Sequence, residues 1–153
     1  AAVYDTFIGS VETNGFPSAT PLLRVLESDS TKLYHHVPLV AGGSYTLTPT
    51  GVSYSIGTWY HLVATYEKTA ATGNTAKMRV YKDAVVIGTT DIALNGFIKV
   101  IGQFAAGGVE GVSGQKYWTG LVDDVAVIPY AWTPAQVSAV YALGRSTSVS
   151  WNP

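Results

Sequence analysis

Residues 57–66 (GTWYHLVATY) decide the fold class, because they combine aromatic and β-branched residues with a two-residue alternation. In this run Trp59, His61, Val63 and Thr65 fall in one phase, so they are predicted to share one face of a strand. Similar short runs, separated by turn residues, recur along the whole chain. The predicted strands are 6–11, 21–27, 31–37, 44–48, 52–56, 59–67, 76–82, 84–92, 97–102, 117–128 and 146–151. This pattern predicts an all-β sandwich of antiparallel strands.

One helix is predicted near the end of the sequence. Thr133 precedes Pro134 and stands three residues before Gln136, which is a capping box with proline at the first helical position. Apolar residues then follow at helical spacing, and Gly144 suits the position just after the last turn. We expect a helix of about two to three turns that packs on the edge of the sandwich.

Several motifs, in the same order as in this chain, resemble the laminin-G-like domains, which are concanavalin A-like lectin/glucanase jelly rolls. Gly57–Tyr66 resembles the strand of that family with the pattern G-x-W-x-H, and Met78–Val85 resembles its L-x-L-Y-x-D-G-x hairpin. Val100–Gly102 resembles the I-G strand of the family, and Trp118–Val127 resembles its F-x-G-x-I-D-(D/E)-V strand. The helix after Thr133 follows where the family has L-S-x-x-E-I.

The resemblance is strongest over residues 58–143 and implies a two-sheet, antiparallel jelly-roll sandwich that forms a single domain over 1–153. The chain departs from the family at two places. Ala84 replaces the hairpin glycine, so a turn other than type I′ is expected. The first strands of the family have no counterpart here. The chain is therefore either a fragment of a longer one, or a domain whose open edge is closed by a neighbouring chain or by its own Ser146–Trp151 run.

The composition limits the classes of partner. Only 12% of the residues are charged, the net charge is −1, and lysine and arginine are scattered singly, so the chain carries no footprint for nucleic acid. No run approaches the roughly 20 apolar residues that a membrane span needs. A surface with little charge and many hydroxyl groups suits polar ligands and also close self-association.

The sequence contains no catalytic or chelating constellation. Related glucanases carry paired carboxylates on one strand, spaced E-x-D-x-x-E, and none of the glutamates has such neighbours. Asp123 and Asp124 are adjacent and would point to opposite faces of a regular strand. His61 is expected to be a core histidine held by a hydrogen bond, while His35 and His36 point to opposite faces of their strand. We therefore expect no enzymatic activity, and glycoside hydrolysis is the most distant alternative.

Calcium is the cofactor that the resemblance implies, bound by carboxylates and carbonyls at a sandwich edge. Asp123 is the first candidate ligand and Asp124 the second. The alternative is that these aspartates cap backbone amides at a β-bulge, which would allow Val122, Val125 and Val127 all to face the core.

Aromatic residues around a glycine-rich loop are the candidate ligand-binding residues. The loop 105–116 precedes Tyr117 and Trp118, and aromatic rings beside such a loop stack on sugar faces. Tyr130 and Trp151 are the other two candidates. The alternative is a flexible connector, with Trp118 in the core.

The sequence thus predicts a non-catalytic recognition domain that binds a glycan or a protein surface in an extracellular, cell-surface or virion-surface setting. The alternative is a structural subunit, such as a virion decoration protein or a filament component, that self-associates through an open sheet edge. The resemblance favours recognition, whereas the low charge and the missing opening strands favour assembly.

Overall fold

The computed structural model describes residues 4–11, 22–26, 29–38, 44–55, 57–68, 75–93, 103–106, 108–109, 116–117 and 120–146. Side chains are described for 33–37, 44–55, 57–68, 75–93, 106 and 120–144. The predicted strand 97–102 and residues 147–151 of the predicted last strand lie outside these residues. Both therefore stay predictions, as does the closure of the open edge.

Ten strands and one helix are present in the described part of the chain. In order they are β1 Tyr4–Val11, β2 Leu22–Leu26, β3 Asp29–Pro38, β4 Ser44–Leu47, β5 Leu62–Lys68, β6 Thr75–Lys82, β7 Val85–Ala93, β8 Gln103–Ala106, β9 Gly108–Val109, β10 Lys116–Tyr117 and α1 Pro134–Ser146. A five-stranded sheet has the order β4-β3-β2-β1-β8, a three-stranded sheet has the order β5-β6-β7, and β9 pairs with β10. Every pairing is antiparallel, which confirms the predicted fold class.

The two larger sheets share one hydrophobic core, as the layers of a sandwich do. The buried apolar side chains of this core are Leu33 and Val37 of β3, Leu47 of β4, Ala76, Met78 and Val80 of β6, and Ile92 of β7. Even-numbered residues of β6 face the core because successive side chains of a strand point to opposite faces. The hydroxyl of Tyr45 on β4 also donates a hydrogen bond to the carbonyl of Ala93 on β7. This bond links the two sheets directly.

The histidine pair of β3 is buried on both faces of its strand, as the alternation predicts. His35 is in phase with Leu33 and Val37 and is buried with them. The Nδ1 atom of His36 lies 3.0 Å from the hydroxyl oxygen of Thr46 on the neighbouring strand β4. The two imidazoles therefore do not converge on one site.

Strand β5 begins later than the sequence predicts, and this changes the position of Trp59. The first residue of β5 is Leu62, and residues 52–55, predicted as a strand, have no regular secondary structure. Because Trp59 lies outside the strand, no sheet face holds its side chain, which is exposed. The prediction that it shares a face with Val63 and Thr65 is therefore wrong.

The hairpin between β6 and β7 keeps a left-handed turn although it lacks glycine. Asp83 and Ala84 both have positive φ, 51° and 66°, and Lys82 pairs directly with Val85. This is the backbone of a type I′ turn, so the prediction of a different turn is wrong. Two hydrogen bonds hold the turn in place. The Asp83 amide donates to the His61 carbonyl at 2.8 Å, and the His61 amide donates to Asp83 Oδ1 at 3.0 Å.

The predicted helix is confirmed, together with its capping box. The Thr133 amide donates to Gln136 Oε1 at 2.8 Å, and the Gln136 amide donates to Thr133 Oγ1 at 3.3 Å. The helix runs for 13 residues from Pro134, so Gly144 lies inside it, and the predicted helix end is wrong. Val137 is its fully buried anchor. None of the helical structure described is long and apolar enough to cross a membrane.

Residues 120–128 do not form the strand that the sequence predicts over 117–128. Val122, Val125 and Val127 are all exposed, so the arrangement that a β-bulge would allow, with all three facing the core, does not occur. The chain bends at Asp124, which has a φ of 51° and whose amide donates to Asp123 Oδ1 at 2.9 Å. An aspartate that caps a backbone amide is the metal-free alternative considered above, although it occurs here at a bend and not at a bulge.

Candidate ligand-binding surface

The loop before β5 and the β6–β7 turn lie at the same end of the three-stranded sheet. Leu62 at the start of β5 pairs with Lys82, and Lys82 pairs in turn with Val85. Residues 53–55, 57–60 and 82–86 therefore form one surface, which we call the hairpin-end surface. Its exposed apolar side chains are Trp59, Val85 and Val86.

Two tyrosines and one lysine form the framework of the hairpin-end surface. The rings of Tyr54 and Tyr60 meet edge to face, with centroids 5.3 Å apart and an interplanar angle of 88°. Lys82 Nζ lies 4.3 Å from the Tyr60 centroid and 5.0 Å from the Tyr54 centroid, within cation–π range of both rings. The same ammonium donates a hydrogen bond to the Ser53 carbonyl at 2.6 Å. The loop is thereby tied to β6.

Further hydrogen bonds fix the tip of this loop. The Ser55 amide donates to the Tyr60 hydroxyl at 2.8 Å, and the Thr58 amide donates to the Ser55 carbonyl at 3.3 Å. The bonds from Ser55 lower the pKa of Tyr60, and the charge of Lys82 adds to this effect. Burial, followed by the charge of Asp83, raises the pKa of Tyr54 to about 12. Tyr54 therefore stays neutral at physiological pH.

Trp59 projects from this ordered loop with 62% of its surface exposed. An exposed tryptophan offers a flat apolar face with one N–H donor, which is the chemistry that stacks on a sugar ring. The hydroxyl side chains of Ser53, Ser55 and Thr58 are exposed on the same loop, and those of Ser55 and Thr58 form hydrogen bonds with the Tyr60 hydroxyl. The arrangement provides one stacking platform with polar groups around it.

His61 lies behind the hairpin-end surface and connects the sheet to the helix. Its ring stacks on that of Tyr141 at a centroid distance of 5.7 Å and an angle of 29°. Its Nδ1 atom is buried without a hydrogen-bond partner, so the predicted side-chain hydrogen bond is not what holds it. The ring stack and the backbone bonds to Asp83 hold it instead. Burial lowers the pKa of His61, an effect that the Asp83 carboxylate partly offsets.

The predicted site residues are not brought together by the described part of the structure. Tyr130 is exposed to 62%, and Asp123 and Asp124 are exposed nearby in sequence. Only the backbone of Tyr117 is described, and Trp118 and Trp151 lie outside the described residues. These four aromatic residues therefore stay predictions as ligand contacts.

The calcium prediction concerns Asp123 and Asp124. No group of three or more His, Cys, Asp or Glu side chains that could hold a metal ion occurs among the described residues. At this pair of aspartates, the Asp123 carboxylate accepts a hydrogen bond from the Asp124 amide.

Sequence reasoning missed the hairpin-end surface because it placed Trp59 on a sheet face. A local signal was available. Three aromatic residues, Tyr54, Trp59 and Tyr60, fall within seven positions that also contain Ser55 and Gly57. Gly57 has a φ of 76°, which favours glycine and marks a turn there, not a strand.

A sequence model of the concanavalin A-like lectin/glucanase superfamily, of the laminin-G type, matches residues 4–138. The match begins well before residue 58, which is the start of the range 58–143 over which the motif resemblance is strongest. Searches of curated proteins and of solved structures gave no match. With most of its length matched and with its two facing antiparallel sheets, the chain belongs to the laminin-G-type family of the concanavalin A-like lectin/glucanase superfamily.

Proposed function

We propose that this chain is a non-catalytic recognition domain that binds a glycan through the hairpin-end surface. The observation that carries the proposal is the exposure of Trp59 on a loop whose neighbouring side chains are already bonded to one another. The family includes lectins, which bind glycans. Such a domain would act where glycans are displayed, which is an extracellular, cell-surface or virion-surface setting.

The energetics of the surface also support binding. Exposure of a tryptophan to water is unfavourable. Burying one apolar side chain of this size stabilises a complex by several kcal/mol, on the order of 25 cal/mol per Å² of apolar surface. Its loop is held by the Lys82 and Tyr60 contacts, so the backbone that carries the ring is ordered before a ligand arrives. A rigid aromatic platform binds with little loss of conformational entropy.

The same family includes glucanases, and the described carboxylates favour a binding role over hydrolysis. Glycoside hydrolysis requires two carboxyl groups about 5–9.5 Å apart that face one cleft. Glu67 forms an ion pair with Arg79 at 2.8 Å, and Asp91 forms one with Lys77 at 3.4 Å. Asp83, the acidic residue at the hairpin-end surface, accepts the His61 amide.

Replacing Trp59 by alanine tests the proposal. We expect Trp59→Ala to weaken binding to an oligosaccharide, found on a glycan array and measured by calorimetry, by about tenfold or more. The melting temperature should hardly change, because exposed substitutions typically alter stability by less than about 0.5 kcal/mol.

The matched control for this experiment is Tyr130→Ala, which removes an aromatic side chain of equal exposure from a different segment. It should leave the affinity unchanged. Loss of binding in Tyr130→Ala but not in Trp59→Ala would contradict the proposed surface and would favour the segment 120–130. A wild-type protein that binds no glycan on the array would contradict glycan recognition itself.

Self-assembly is the second candidate function, and the exposed apolar side chains of the segment 120–130 favour it. Six of the ten exposed large hydrophobic side chains among the described residues lie in this segment: Leu121, Val122, Val125, Val127, Ile128 and Tyr130. Leu121 is exposed to 78%. Contiguous exposed apolar groups of this kind mark association surfaces, and the net charge of −1 opposes association little.

Size-exclusion chromatography with multi-angle light scattering tests this second candidate. If the chain assembles through the segment 120–130, the wild-type protein forms a defined oligomer, and Val127→Asp dissociates it. Val85→Asp places the same charge at another exposed valine, on the hairpin-end surface, and should leave the oligomer intact. A monomeric wild-type protein at micromolar concentration would exclude this candidate.

A further inference from the structure

We infer that the hairpin-end surface selects neutral saccharides over acidic ones such as sulfated or uronic glycans. The inference rests on the proposed function and specifies its ligand class. The residues that form this surface carry two charges, Lys82 and Asp83, in the part of the chain that the structure describes. Contacts within the protein engage both of them.

The ammonium group of Lys82 is committed to its own loop. It lies over the rings of Tyr60 and Tyr54 and donates to the carbonyl of Ser53 at 2.6 Å. To reach a sulfate or carboxylate, it would have to leave these contacts and lose both cation–π interactions. Its departure would also release the Ser53 carbonyl and loosen the loop that carries Trp59. An acidic ligand would thus gain an ion pair only by disrupting the platform it stacks on.

The Asp83 carboxylate is also hydrogen-bonded within the protein, and its negative charge repels anions from the hairpin-end surface. Its Oδ1 accepts the His61 amide at 3.0 Å, and its backbone forms the left-handed turn. The carboxylate therefore adds negative charge beside Lys82 and reduces any attraction for an acidic sugar.

The other exposed polar side chains of the loop that carries Trp59 are neutral: Ser53, Ser55 and Thr58. A hydroxyl group both donates and accepts hydrogen bonds, which matches the hydroxyls of a neutral sugar. The next cation along β5, Lys68, lies six residues beyond Leu62, about 20 Å away at the rise of a strand. It is too distant to attract a ligand held at Trp59. Arg79, the cation three residues before Lys82 on β6, is closer but is already paired with Glu67 at 2.8 Å.

Paired oligosaccharides test this inference. The probes are one neutral oligosaccharide that binds the wild-type protein and the same oligosaccharide after sulfation, each titrated at 0.05 M and 0.5 M NaCl. We expect the neutral probe to bind with a Kd that changes less than twofold with salt, and sulfation to bring no gain. A sulfated probe that binds tenfold tighter at low salt, and loses this advantage in Lys82→Met, would overturn the inference while leaving glycan binding by the surface intact.

A second measurement does not depend on any glycan. Amine-reactive labelling followed by mass spectrometry should modify Lys82 at least tenfold more slowly than Lys68, because the Lys82 ammonium is engaged and Lys68 is exposed. Equal labelling rates would show that the Lys82 ammonium is available to ligands and would overturn the inference even if neutral glycans bind. Binding of no oligosaccharide, together with slow labelling of Lys82, would instead reject the proposed function on which the inference rests.

Discussion

Gly88→Ala should lower the free energy of unfolding by about 2 kcal/mol, because a methyl group has no room at this position of β7. A Cβ atom added to Gly88 would lie 2.6 Å from Pro49 Cγ, 3.3 Å from Pro49 Cβ and 3.5 Å from Leu47 Cδ1. The proline ring is rigid and buried, so it cannot turn aside as a flexible side chain would. The loop after β4 or the strand itself must therefore shift. Urea denaturation measures the effect.

The control for Gly88→Ala is the reverse exchange at the hairpin. Ala84→Gly should leave the free energy of unfolding unchanged or raise it by up to about 1 kcal/mol, since it relieves a left-handed alanine. A double-mutant cycle with Pro49→Ala gives a second check. Gly88→Ala should cost less in the Pro49→Ala background, because the clashing ring atom is then absent. Equal costs in both backgrounds would mean that Gly88 and Pro49 do not touch.

Met78→Ala should be the other strongly destabilising substitution, at about 3 kcal/mol. Met78 is fully buried on the central strand β6, where it packs in the core that the two larger sheets share. Its removal would leave a cavity in the core between the two sheets, because the surrounding side chains, among them Leu33 and Val80, hold the sheets apart. Urea denaturation measures the lower free energy of unfolding, and near-ultraviolet circular dichroism reports any change in the packing of aromatic side chains.

Val85→Ala is the matched control for Met78→Ala, because it also shortens an apolar side chain of the three-stranded sheet, but at an exposed position. Its expected cost is below about 0.5 kcal/mol. If Met78→Ala were equally mild, the two sheets would not enclose a common core, and the sandwich described above would be incorrect.

The three-stranded sheet and the helix could be predicted because their signals are local. The alternation of β6 specifies which residues face inward, and the capping box formed by Thr133 and Gln136 specifies where the helix starts. The end of the helix was missed because Gly144 only weakens a helix and does not stop it. Tertiary contacts through Val137 and Tyr141 hold the helix in place, and these contacts are not visible in local sequence.

The segment 120–130 shows where sequence patterns stop being informative. Val125 and Val127 alternate with other residues as those of a buried strand would, but burial depends on which other segment lies against it. That partner is a matter of tertiary arrangement, and Val125 and Val127 are exposed in the structure. The alternation describes a capacity to form a sheet and does not establish that a sheet forms.

The candidate site was the least predictable part of the chain. Trp59 lies in the family motif, so the sequence assigns it to the strand. Because β5 begins only at Leu62, Trp59 lies before the strand and its side chain is exposed to solvent. The role of Lys82 depends on a contact with Tyr54 across 28 residues of sequence. Such an encounter follows from the three-dimensional fold, and no spacing rule anticipates it.

The contact of Lys82 with Tyr54 and Tyr60 has a kinetic consequence. A loop that is already ordered before a ligand arrives requires no conformational change on binding, so association should be fast and similar for all sugars that fit. Differences in affinity between such ligands would then appear in how long each complex lasts. Lys82 would thus act on the rate of association, by keeping the loop ordered, without touching the sugar.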